Sequence, residues 1–189
     1  MKSCLGVPEG YELKYTLDLQ KDKKVFLLLN VLSIVIILPL LLGFGRFDFD
    51  QLGTFDLFYI FPAFLGIIII HEYIHGFFFH RYSQAKVKYQ FHGWAFSAST
   101  PGYTYKKKNY LIIGLAPAVI LNTALILLSI FLEGPYDLIA YFVFIIHFSG
   151  CIGDFYVTAL LLKYPSRTYV EDTGTGMKFY VESKDFQSI

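Results

Sequence analysis

Residues 55–81 read FDLFYIFPAFLGIIIIHEYIHGFFFHR, and this stretch decides the fold. It is apolar for most of its length and long enough, as a helix, to cross the roughly 30 Å hydrocarbon core of a bilayer. Near one end it carries His71, Glu72 and His75. Ionisable side chains inside so apolar a segment are costly and point to function.

Three more runs share its apolar character, at 25–44, 110–132 and 136–164. The chain is 55% hydrophobic and only 16% charged, against roughly 25% charged residues in average globular proteins. Backbone groups in lipid must find partners within their own segment, so the four runs are expected to be helices. The first run lacks a small-residue cleavage site and reads as a retained span. The expected fold is therefore a membrane all-α protein, one polytopic domain over 1–189 with four transmembrane helices.

Basic residues orient the spans. Fifteen of the sixteen Lys and Arg fall before the first span, between the second and third, or after the fourth; Arg46 is the exception. The other loops hold Asp48, Asp50, Asp56, Glu133 and Asp137. Both termini and the loop at 82–109 are thus expected in the cytosol of a multi-pass cell-membrane protein. A net charge of +1 with no basic patch argues against a nucleic-acid partner, and Cys4 and Cys151 offer no disulfide framework. Short cytosolic strands are expected from the alternation at 11–17, in the 85–105 loop with a turn at Gly93, and as a tail hairpin at 168–181.

On a helix, His71 and His75 are rotated by only about 40° from one another, so both imidazoles address one ion. Glu72, about 100° round from His71, reaches a water on that ion and can act as its base. A catalytic zinc takes three protein ligands and a water, so a third ligand is required. His147 and Asp154 are the candidates on the fourth span. Counting the helical rise from the outer face, His71 lies about 24 Å in and Asp154 about 27 Å, whereas His147 lies about 16 Å in. Depth favours Asp154 and leaves His147 as an outer-shell or packing contact. Asn122, mid-membrane in the third span, suits either a hydrogen bond to substrate or ligand, or helix packing.

The motif at 71–75, Ala116-Pro117 with Asn122, and Gly153-Asp154 resemble the site-two-protease-like intramembrane metalloproteases. The whole chain, with Pro8-Glu9-Gly10-Tyr11 and Ser149-Gly150 before Gly153-Asp154, resembles more closely a family of small bacterial membrane proteins described as zincin peptidases. The resemblance implies a Zn2+-dependent endopeptidase acting on a membrane protein or peptide in or near the bilayer. A helical substrate must unwind to expose its carbonyls. The strand expected at 94–99, with Trp94, Phe96 and Ser97, could take the extended segment by backbone pairing. A non-catalytic zinc-binding scaffold or chaperone, or a zinc hydrolase of a non-peptide bond, is the alternative. Glu72 favours catalysis, because a structural zinc needs no carboxylate there.

Overall fold

A computed structural model describes residues 3–18, 21–46, 53, 57–93 and 96–185. The helices are α1 (Lys23–Leu41), α2 (Leu57–Ser83), α3 (Lys107–Phe131), α4 (Pro135–Gly150) and α5 (Ile152–Leu162). Among the described residues, four helical segments are long and apolar enough to cross a membrane: α1, α2, α3 and the α4–α5 pair. Asp22 caps α1, its Oδ1 accepting from Val25 N–H at 3.1 Å, which supplies one of the donors a helix start leaves open. Beyond α1, the Tyr141 ring occupies the space a side chain at Gly43 would need. Its hydroxyl donates to Leu40 O at 2.9 Å, tying α1 to α4.

The helix limits shift by one to three residues from the sequence expectation, and two differences stand out. The third helix begins at Lys107 rather than 110, because hydropathy marks the apolar limit while the helical hydrogen bonds run on through Lys107 and Lys108. The fourth run is two helices that meet at Cys151, whose ψ is 2°. Gly150 and Gly153 flank the break and give the backbone its freedom there. Outward-facing Phe58, Phe61, Val119, Ile130 and Phe131 are exposed, the surface a lipid solvent would cover.

The strands are β1 (Cys4–Leu5), β2 (Tyr11–Asp18), β3 (Lys88–Phe91), β4 (Phe96–Ser99), β5 (Tyr103–Lys106), β6 (Tyr169–Asp172) and β7 (Gly176–Glu182). Short strands were expected from all three segments, but their joining was not. Five of them form one antiparallel sheet in the order β1-β5-β6-β7-β2. It gathers the N-terminal segment, the loop before α3 and the tail. Leu17, Tyr105, Val170 and Phe179 of the sheet are buried with Phe79 of α2, Tyr110 and Ile113 of α3, and Val157 and Leu161 of α5. One core thus clamps the sheet onto one end of the helices.

The remaining pair, β3 and β4, forms a separate antiparallel hairpin packed on α2. The Tyr89 ring fills the space a side chain at Gly76 would take. The turn between β6 and β7 closes on the hairpin at Gly174, whose φ is +87°.

Candidate metal centre

One turn of α2 presents His71 and His75, with ring nitrogens His71 Nε2 and His75 Nε2 3.0 Å apart. Asp154, in the first turn of α5, reaches between them. Its Oδ2 is 3.3 Å from His71 Nε2 and its Oδ1 3.5 Å from His75 Nε2. These three donors form a metal-compatible group. Ligands at the usual 2.0–2.1 Å from a tetrahedral zinc stand about 3.3 Å from one another. Separations of 3.0, 3.3 and 3.5 Å therefore describe one face of such a site. Two neutral imidazoles and a carboxylate are also a common zinc donor set.

The other ring nitrogens are engaged. His75 Nδ1 lies 2.9 Å from Ile113 O of α3, and His71 Nδ1 lies 3.0 Å from His147 Nε2 of α4. His147 Nδ1 in turn lies 2.8 Å from Asn122 Oδ1. This corrects the depth argument for His147, which placed it well short of His71. It touches His71 through the ring nitrogen opposite the one that faces Asp154. His71, His147 and Cys151 form a second metal-compatible group, with Cys151 Sγ 3.8 Å from His147 Nε2. It shares His71 with the first, on the side of the ring that carries Nδ1.

The Glu72 carboxylate lies beside both His71 and His75, with the Ala98 backbone N–H of β4 directed at it. An amide aimed at Glu72 is aimed away from β3. By strand alternation the backbone groups of Phe96 point the same way. That edge of β4 pairs with no other strand among the described residues.

All of this opens on a cavity of about 600 Å³. Phe96 and Ser97 line it, whereas Asn122 does not and stands behind His147. Trp94 lies outside the described residues. Ser97 Oγ is 2.9 Å from His92 Nε2, and His92 also lines the cavity.

The sequence reading missed one wall. Asp172, Gly174, Thr175, Gly176 and Met177 of the tail line the cavity. Asp172 Oδ2 accepts from the Tyr110 hydroxyl at 2.5 Å, and Oδ1 accepts from Gly174 N–H at 2.8 Å. Burial pushes the Asp172 carboxyl above the ordinary carboxylate range, against the opposing effect of these hydrogen bonds. The available signal was Asp172-Thr-Gly-Thr-Gly176 between two strands, which marks a turn but not what the turn covers.

No curated protein and no solved structure matches this chain. A family model described as putative zincin peptidase matches residues 64–169, and zinc is the ion such a family implies. The match spans more than half of the chain and includes α2 from residue 64 onward, β4, α3 and Asp154; the protein belongs to the putative zincin peptidase family.

Proposed function

We propose that this chain is a zinc endopeptidase that hydrolyses a peptide bond of a membrane protein or peptide at the cytosolic face of the cell membrane. His71 Nε2, His75 Nε2 and Asp154 would hold the ion, and Glu72 is the base. The carrying observation is the convergence of three donor atoms, 3.0–3.5 Å apart, beside the Glu72 carboxylate.

Zinc at this seat supplies a Lewis acid and lowers the pKa of a water in its sphere to about 7. Glu72 accepts the proton of the attacking water and delivers it to the departing amine. Glu72 lines the cavity that would receive the substrate, with Ala98 N–H facing its carboxylate. An extended substrate segment pairs with the free edge of β4 at Phe96, with Ser97 as a further contact. Pairing of this kind compensates the segment for the helical hydrogen bonds it gives up. Asn122 faces His147 rather than this path. The three basic segments gather in one sheet at one end of the helices, which supports a single, cytosolic side for both termini and the cavity mouth.

The test of the seat is elemental analysis of the detergent-purified chain. About one zinc per chain is expected, and the double variant His71→Ala/His75→Ala should lose it. Undiminished zinc in that variant would contradict the reading.

A further inference from the structure

Pro117 sits in α3 four residues after Ile113. An α-helical carbonyl normally accepts from the N–H four residues on, and proline has none to give. The Ile113 carbonyl is therefore left open by its own helix, and it is the atom 2.9 Å from His75 Nδ1. Two and a half turns beyond Ile113 on α3, Asn122 Oδ1 stands 2.8 Å from His147 Nδ1, and His147 Nε2 stands 3.0 Å from His71 Nδ1. Both Asn122 and His147 are buried, so no water is needed to complete either contact.

With all three rings neutral and Asn122 presenting Oδ1 to His147 Nδ1, one placement of protons satisfies these contacts. A carbonyl oxygen accepts and never donates, so His75 carries its hydrogen on Nδ1 and keeps a lone pair on Nε2. Asn122 Oδ1 likewise takes a hydrogen from His147 Nδ1, which leaves His147 Nε2 as an acceptor. His71 must then donate from Nδ1 and keep its own lone pair on Nε2. The two lone pairs so created are the ones that converge on Asp154.

We infer that α3 sets the tautomer of both histidines, with Pro117 and Asn122 as positioning residues: Pro117 by withholding an N–H from Ile113 O, and Asn122 through His147. The inference rests on the reading that zinc sits among His71, His75 and Asp154. It gives Asn122 a role away from substrate, and it gives the proline in α3 a chemical purpose.

The experiment measures zinc affinity of the full chain in detergent by chelator competition, together with the thermal stability of the zinc-free protein. Histidine tautomers are read from ¹⁵N spectra. Pro117→Ala restores an amide that competes with His75 for Ile113 O. It should weaken zinc binding 10- to 100-fold, the loss typical of an outer-shell partner. The zinc-free protein should be no less stable, because a helix-breaking residue has been removed. Asn122→Leu should weaken binding to a similar extent, while Asn122→Asp, which still accepts, should remain within about threefold of the parent. In the zinc-free parent His75 and His147 should show hydrogen on Nδ1. His75 should lose that preference in Pro117→Ala, and His147 in Asn122→Leu. Unchanged zinc affinity in Pro117→Ala or in Asn122→Leu overturns the inference, as does an equal loss in Asn122→Asp and Asn122→Leu. His75→Ala is the separate arm: if it binds zinc like the parent, the seat itself is wrong and the parent reading falls instead.

Discussion

Asp154 Oδ2 stands 3.3 Å from His71 Nε2, a contact that joins the first turn of α5 to the middle of α2. It brings an anion to a pair of neutral imidazoles, so a divalent ion there would leave a net charge of only +1 to be buried near lipid. Removing that charge raises the burial cost of the ion. Asp154→Asn is therefore expected to weaken zinc retention and cleavage together. His147→Ala should keep the metal, with at most the 10- to 100-fold loss of an outer-shell contact. Chelator competition at fixed pH separates the two. If His147→Ala strips the metal and Asp154→Asn does not, the ion is held by the other face of His71.

The sheet makes a prediction about sidedness. Lys86 is exposed in the segment before β3, and Glu133 is exposed between α3 and α4, at opposite ends of the helices. In a background with Cys4 and Cys151 replaced by Ser, Lys86→Cys should resist an impermeant thiol reagent added to intact cells, and Glu133→Cys should react with it. The reverse pattern would invert the orientation drawn from the basic residues.

Gly174 is a point where turn and hairpin meet. Its φ of +87° disfavours any side chain, and an added Cβ would stand 3.3 Å from Ser97 Oγ and 3.4 Å from Ser99 Oγ. Gly174→Val should cost about 1–2 kcal/mol from backbone conformation alone and push β4 off its seat on α2. The expected readouts are a lower melting temperature and a larger loss of cleavage than of zinc. Native stability and cleavage in this variant would show that the turn does not support the hairpin.

Asp172 gives a pH dependence of defined sign. Burial favours its neutral form, so the folded carboxyl titrates above the ordinary 3.8. The folded chain then holds that proton more tightly than the unfolded one. Stability from this group is present below 3.8 and is lost as pH rises through the folded value. Asp172→Asn keeps the shape, can accept from Gly174 N–H, and can donate to the Tyr110 oxygen. It should melt higher than the parent at neutral pH, with the difference vanishing in acid below 3.8. A variant that melts lower at neutral pH and equal in acid would give the opposite sign.

The sequence revealed what repeats or alternates, and little of what meets at a distance. Hydropathy located the long apolar helices to within a few residues, since each is a long, uniform signal. Spacing on one helix put His71 and His75 on a common face. The rise per residue brought Asp154 to their level, yet placed His147 too far away, because a count along one axis cannot see the interruption at Cys151 or the approach of α4 to α2. Asn122 stood out as a polar residue among apolar ones, but its partner depends on helix rotation. The tail turn and the five-stranded sheet were hidden for the same reason: their contacts join segments from opposite ends of the chain.

The most direct measurement of the central claim compares new protein N-termini in membranes of cells expressing the native chain with those in cells expressing Glu72→Gln. The amide matches the carboxylate in size and leaves the three donor atoms in place, but it cannot accept the proton of the attacking water. Zinc content should therefore be unchanged. A set of N-termini within or beside membrane helices should be present with the native chain and absent with the variant, where the intact proteins accumulate. The same N-termini at the same abundance in both would remove Glu72 from any hydrolytic role and contradict the assignment of this chain as a peptidase.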